Sequence, residues 1–241
     1  MIDSETWRLL LDHYGVVYEE EPHAFIWGSI VTLFRAGSPQ VPALCGSGLK
    51  LVDPSTAIAR WDDQQLPGHA LIPADPMQRG IALDDWEQFH GTFATSTARL
   101  AYYHLLPHRD IMIEPFTRGI PRGEAALTRV IYPLQRGVLS LLLQLTSGKA
   151  AAALAQIRET FDKTDARIRD GRPLLQGDRL TLGDVALAAA GAPVTLPANG
   201  RAPVPPMERM PEAYAAIVRE MRDRPTARLI ETVLRMIRPV V

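Results

Sequence analysis

Every strand-like pattern in this chain falls within its first 65 residues, and from residue 77 onward apolar residues recur at helical spacing in one segment after another. That asymmetry excludes a sheet running through the whole chain and predicts a small α/β unit followed by an all-helical part. Helical patterns cover roughly residues 77–107, 123–148, 149–170, 181–191, 210–222 and 225–237, separated by Pro- and Gly-rich turns. Five prolines between 193 and 206 predict an extended loop across the helical part.

The first unit changes period several times. Trp7, Leu10, Leu11 and Tyr14 sit at i, i+3, i+4 and i+7, which predicts an amphipathic helix over Ser4 to Tyr14 stopped by Gly15. Val16, Val17 and Tyr18 read as a short strand. The very apolar run Phe25 to Phe34 reads as helix, ended by Ala36-Gly37-Ser38-Pro39. Val41 to Leu44 and Leu49 to Val52 flank Gly46-Ser47-Gly48, a hairpin signal, and Ser55 to Asp62 resumes a helical pattern. Gly68 with Pro67, Pro73 and Pro76 marks the composition shift. The expected division is residues 1–65, a linker over 66–76, and a helical domain over 77–241.

With 26 Lys plus Arg against 27 Asp plus Glu, the net charge of -1 provides no overall field for nucleic acid or an anionic membrane. The single cysteine, Cys45, forms no internal disulfide, and no signal-like opening is present, so a reducing cytosol is expected. The most apolar stretch, Val130 to Leu145, is broken by Pro133, Gln135, Arg136 and Gly137, short of the roughly 20 apolar residues of a membrane span.

Val41-Pro42-Ala43-Leu44, a turn, Leu51-Val52 and then Ser55-Thr56-Ala57-Ile58 resemble the second half of the thioredoxin-like domain of glutathione S-transferases. Leu174 to Leu187, with Thr181 and Asp184 spaced as a capping box, resembles the buried capping motif in the helical domain of that family, where alanine more often stands at the place of Gly183. Leu71-Ile72-Pro73-Ala74-Asp75-Pro76 is similar to the family's interdomain segment. The resemblance implies an α/β thioredoxin-like N-terminal domain, with its first strand missing or truncated because only three residues precede Ser4, and an all-α C-terminal domain. Three remedies for that strand are open: an upstream start, recruitment of Phe25 to Phe34 into the gap, or direct pairing of the remaining strands.

The resemblance also implies a ligand and a chemistry. Glutathione is expected as cofactor or nucleophile and a small apolar electrophile as substrate, with a non-catalytic ligand-binding or interaction protein as the alternative. The Val-Pro bond is expected to be cis. Val41 and Pro42 would pair with the cysteinyl part of glutathione, and Ser55 and Thr56 would receive its γ-glutamyl carboxylate at a helix N-terminus, where free N–H groups and the helix dipole suit an anion. Pro54 stands where the family usually carries an acidic residue, with Asp53 one place earlier. Ser4 and Thr6 are the candidate catalytic hydroxyl donors, since a free thiol titrates near ~8.5 and must be held as thiolate; Ser4 reads equally as an N-cap. Trp86, Phe89, His90, Phe93 and Tyr102 are candidates for the electrophile site, although Trp86, Phe89 and Phe93 at i, i+3 and i+7 also match ordinary core. Cys45 is expected to be structural and buried. His104 and His108 are separated by Pro107, so no metal site is expected. A homodimer is expected, because Phe25 to Phe34 is more apolar than a small domain can cover.

Overall fold

A computed structural model of the protein describes residues 2–46, 48–62, 69–201 and 204–238. In chain order the elements are α1 (Ile2–His13), α2 (Phe25–Ala36), β1 (Leu44–Gly46), β2 (Leu49–Leu51), α3 (Pro54–Asp62), α4 (Pro76–Glu87), α5 (Ala94–Leu105), α6 (Arg109–Thr117), α7 (Arg122–Leu142), α8 (Ser147–Arg167), α9 (Leu182–Thr195), α10 (Glu212–Arg222) and α11 (Pro225–Ile237). Among the described residues the protein is mostly helical, with one small antiparallel sheet at its N-terminal end.

The chain is organised around α9, in which every residue is buried. A helix with no polar face must be enclosed, and α1, α4, α5, α10 and α11 pack around it. Its run Ala188-Ala189-Ala190-Gly191-Ala192 keeps the surface thin, so neighbouring backbones approach closely. A Cβ at Gly191 would meet Ile230 Cδ1 at 2.5 Å. The predicted helix 181–191 is extended through Pro193 to Thr195, and the freed carbonyl of Pro193 accepts from the Tyr214 hydroxyl at 2.8 Å.

The capping box at the start of α9 is formed. Asp184 Oδ2 accepts from the Thr181 N–H at 2.9 Å and the Thr181 hydroxyl at 2.7 Å, and the Asp184 N–H returns a bond to Thr181. Its other oxygen accepts from the Leu175 N–H at 2.9 Å, so one buried carboxylate fixes both the helix and the loop before it. Gly183, between them, faces Asp85 of α4: a Cβ there would collide with the Cβ of Asp85. Asp85 is buried and holds Arg167 at 2.6 and 2.8 Å, so it has no free direction to yield. Gly183→Ala is expected to cost roughly 1–3 kcal/mol by overpacking, read in denaturant unfolding. An unchanged midpoint would mean that α4 shifts freely.

The N-terminal part differs from expectation in its strands. Leu44, Cys45 and Gly46 pair with Leu51, Lys50 and Leu49, giving a two-stranded antiparallel sheet. Residues 16–18 form no strand; Val17 is 98% exposed, because no neighbouring strand offers its backbone a ladder. Phe25 to Phe34, whose apolar pattern by itself does not separate helix from strand, is helix as expected, so it does not fill a gap in the sheet as a strand. The Val41-Pro42 bond is cis. Ser47 in the turn, residues 63–65 at the end of the expected first domain, residues 66–68 of the expected linker, and residues 202 and 203 lie outside the described residues. The rest of the linker is ordered by contacts from both sides: Asp62 accepts from the Leu71 and Ile72 N–H groups at 2.6 and 3.2 Å, and Asp75 caps α4 through Gln78 N–H at 2.9 Å. Ile2, Leu9, Leu10, Tyr14 and Ile58 share one continuous apolar core with the C-terminal helices, while Trp7, Leu11 and Ala57 form a smaller cluster of their own.

Two further differences concern the long helical stretch. The predicted helix 77–107 carries a π-turn over Gln88–Phe93 between α4 and α5. Ile111 to Phe116, outside the predicted helical segments, lies in α6. Among the described residues no single helix is long and apolar enough to cross a membrane.

Candidate functional site

The first turn of α1 lies against the π-turn. His90 Nε2 is 3.6 Å from Asp3 Oδ1, and the His90 ring stacks on Trp86 with centroids 4.5 Å apart and planes 8° from parallel. Trp86 and His90 stand at i, i+4 where α4 runs into the π-turn, and such turns recur at functional sites. His90 Nε2 is enclosed and has no hydrogen-bond partner among the described residues. Trp86 and His90 are half-buried, so Asp3, His90 and Trp86 make a polar and aromatic corner at the start of α1; Ser4, half-buried, follows Asp3 on the same turn.

At the other candidate position, Asp53 is the cap of α3. The Ser55 N–H donates to Asp53 Oδ1 at 3.0 Å and the Ser55 hydroxyl to Asp53 Oδ2 at 2.5 Å. Pro54 at the first helical position has no N–H to satisfy, which concentrates the available donors on Ser55. Both Ser55 donors thus hold a carboxylate that belongs to the chain itself. Ser55 is exposed; the side chain of Thr56 lies outside the described residues. Val41 is exposed and Pro42 half-buried, and the Val41 side chain faces Gly28 of α2.

Several expected site residues are elsewhere. Thr6 is fully buried and its hydroxyl donates to the Ile2 carbonyl at 3.1 Å, so it offers nothing to a ligand; the hydroxyl of a helical threonine reaches back to the preceding turn. Ser4 is not an N-cap, because α1 already begins at Ile2, but it remains the accessible hydroxyl of the first turn. Phe89 and Phe93 are 3% and 1% exposed and meet edge to face at 6.0 Å, with Phe93 against Phe161. They are core, and the spacing they share with Trp86 did not separate them from it. Tyr102 packs on Phe116 at 6.5 Å, and burial pushes its phenol up to about 12, leaving it a proton donor at neutral pH. Cys45 is exposed rather than buried, because a two-stranded hairpin leaves its outer face uncovered.

Asp3 was missed by sequence reading. Its signal was an acidic residue in the first turn of α1, which reads as a favourable dipole partner and gives no hint of a histidine 87 positions later. Two clefts lie apart from these residues. One of about 600 Å³ lies between α8 and α11, lined by Asp162, Asp165, Arg169, Arg224 and Arg228, and one of about 300 Å³ beside Tyr132 and Arg136 of α7. Within the first, Arg224 is already bound by Asp162 at 2.6 Å and Asp165 at 2.7 Å. Among the described residues no group of three or more His, Cys, Asp or Glu gathers to hold a metal.

No family model matches the chain, and no curated protein matches it.

Proposed function

We propose that the protein is a glutathione S-transferase-like enzyme with a thioredoxin-like N-terminal part, acting on a small apolar electrophile. The observation that carries this reading is the carboxylate seated at the start of α3. Ser55 supplies a hydroxyl and a backbone N–H in the geometry that a γ-glutamyl carboxylate requires, and Asp53 stands in for that group. The donor set therefore fits the ligand, whose carboxylate would replace the Asp53 side chain. Glutathione, when bound, supplies a thiol nucleophile.

The chain's own residues have distinct tasks. Ser55 would orient the γ-glutamyl end, and the backbone at Val41 would pair with the cysteinyl amide. Ser4, on the first turn of α1, would donate its hydroxyl to the sulfur, aided by the positive end of the helix and opposed by Asp3 and Glu5. Trp86 and His90 would form the wall against which an apolar electrophile packs, with the flat faces of the stacked pair providing the contact.

A second reading, a non-catalytic ligand-binding protein, is favoured by the burial of Thr6 and by the prior commitment of both Ser55 donors to Asp53. Calorimetry and turnover separate the two. Ser55→Ala is expected to weaken glutathione binding by roughly 1.5–3 kcal/mol, the range for a hydrogen bond to a charged group. Ser4→Ala is expected to spare binding and reduce turnover. Absence of glutathione binding to the wild type would sink the enzyme reading; binding without transferase, peroxidase or isomerase turnover would favour the non-catalytic one.

A further inference from the structure

α7 turns its uncharged polar side chains inward and an aliphatic face outward. Thr128, Tyr132 and Gln135 are buried together with Ala125 and Leu139. The outward face carries Leu127, Val130, Leu134, Val138 and Leu141, and Leu142 extends it; Val130 is 77%, Leu134 64% and Leu141 80% exposed. Together these side chains expose on the order of 600 Å², the top of the range for the largest apolar patch of a monomer. Leu127, Leu134 and Leu141 form a seam along its middle.

Charge at one border of this face says what covers it. Arg122, Arg129 and Arg136 repeat every seven residues, a row parallel to the leucine seam and about 140° round the helix from it, with Ala126, Pro133 and Gly137 between. Arg109 of α6 joins the row by donating to the Arg129 carbonyl at 2.9 Å. Among the described residues none of these four arginines has a carboxylate partner, whereas the exposed Arg158, Arg172 and Arg219 on other elements each hold one. The carboxylates of α6 and α7 do not offset the row. Glu114 is held by Arg118 and Arg209, and Glu124 by His23 and the Ala24 N–H, which leaves Asp110 against four guanidiniums. The pocket of about 300 Å³ lies in the same strip, lined by Pro107, Arg109, Tyr132, Pro133, Arg136 and Ser140. The Tyr132 hydroxyl already donates to the Leu106 carbonyl, so the donors open to a ligand are the two guanidiniums and the Ser140 hydroxyl, a set suited to phosphate.

We propose that α7 is the docking face for an anionic lipid bilayer. The helix lies in the plane of the membrane surface, with the leucine seam among the acyl chains, the arginine row at the phosphates, and one lipid phosphate in the pocket between Arg109 and Arg136. A helix held this way combines apolar burial with attraction to anionic lipids, and arginine is long enough to carry its charge from the border of the face to the headgroups. A protein partner fits less well. The face offers Leu, Val, Ala, Pro and Gly without the Trp and Tyr anchors that dominate protein interfaces, and fluid hydrocarbon needs no matching shape. The docking is peripheral, since no single helix among the described residues is long and apolar enough to cross a membrane. The net charge of -1 gives the whole chain no such attraction; the field is local to this face, and the proposal is independent of the glutathione reading.

The full chain is expected to float with equimolar phosphatidylcholine–phosphatidylglycerol vesicles, roughly 10-fold more tightly than with phosphatidylcholine alone, and to be released as salt rises from about 0.05 M to about 0.5 M. Leu134→Asn and Leu141→Asn are each expected to weaken this binding roughly 10-fold, and Arg129→Gln with Arg136→Gln roughly 30-fold, with unchanged circular dichroism. Phe34→Asn, on the exposed face of α2, is expected to leave it unchanged. In a Cys45→Ser background, a nitrobenzoxadiazole dye on Leu134→Cys should shift to the blue with anionic vesicles, and the same dye on Phe34→Cys should not. Dihexanoylphosphatidylglycerol below its micelle concentration should bind the wild type and lose roughly 10-fold in affinity with Arg136→Gln; no such loss overturns the pocket assignment. Failure to float overturns the proposal and gives the face to a protein, as does flotation untouched by the Leu134 and arginine variants, or equal binding to phosphatidylcholine alone. A dimer in light scattering whose Leu134 dye is blue-shifted without lipid also overturns it, giving the face to a second copy.

Discussion

Asp184→Ala is expected to lower the stability of the protein by about 3 kcal/mol, because it strands the buried N–H groups of Thr181 and Leu175, each costing roughly 1–3 kcal/mol when unpaired. For a chain of this size that corresponds to a fall in melting temperature of roughly 6–12 °C. The residue makes no contact with the residues assigned to the ligand, so glutathione binding at low temperature should be unchanged. A melting temperature within a degree or two of wild type would show that the loop before α9 and the helix start are held by packing alone. Asp184→Asn should cost less, since one carbonyl oxygen can still accept.

The comparison of wild type with Asp184→Asn has a defined pH dependence. Burial pushes the Asp184 carboxyl up, against the pull of the hydrogen bonds from Leu175 and Thr181. The folded state therefore holds this proton more tightly than the unfolded chain, whose aspartate titrates near ~3.9. As pH rises from about that value through the raised folded value, the unfolded state has fewer bound protons and the wild type loses stability relative to Asp184→Asn; above the folded value the difference is flat. A difference growing with pH across that window would contradict the assignment.

Arg238→Ala is expected to cost about 3 kcal/mol, near the lower end of what breaking a buried ion pair costs. Arg238 closes the C-terminal end of α11 onto α1: its Nη1 lies 2.7 Å from Glu5 Oε1, its Nε donates to Asp12 Oδ2 at 2.5 Å, and Nη1 also reaches the Asn199 carbonyl at 3.3 Å. Glu5 is 1% exposed, so the variant leaves a carboxylate in the interior with only the Arg201 N–H at 3.3 Å and Arg8 at 3.4 Å to hold it. Adding Glu5→Gln should recover most of the loss in denaturant unfolding, a double-mutant coupling that a merely steric role for Arg238 would not produce. Because Ser4 precedes Glu5 on the same turn, Arg238→Ala should also reduce turnover in the proposed reaction more than it weakens glutathione binding. Equal loss of both would place the effect in global unfolding.

Local pattern carried the elements whose stability is local. The capping box at Thr181 and Asp184, the stop at Gly15 and the hairpin around Gly46 and Gly48 each announce themselves by residues within a few positions of one another. The strand expected at 16–18 did not form because a strand is stable only when a neighbour pairs with it, and β propensity at Val16 and Val17 cannot supply that neighbour. The α6 helix was hidden by Pro115, which lies inside it.

The site depended on packing that no window of sequence contains. Trp86, Phe89, His90 and Phe93 look alike as a pattern, and only the packing of the folded chain separates a stacked, half-buried pair from two core rings. Ser55, expected to receive a ligand carboxylate, holds that of Asp53, two residues earlier, a local cap that the sequence reading did not anticipate. Likewise the amphipathic run of α7 declared a helix, while its orientation, more polar face inward and leucine seam outward, was decided by Tyr132 bonding to the Leu106 carbonyl at 2.8 Å and by Glu124 holding the N–H of Ala24 at 2.8 Å. Caps, turns and helical periods are written in neighbouring residues because their hydrogen bonds span only a few positions. Which face is buried and which histidine meets Asp3 depend on partners tens of residues away, and only the folded chain brings those together.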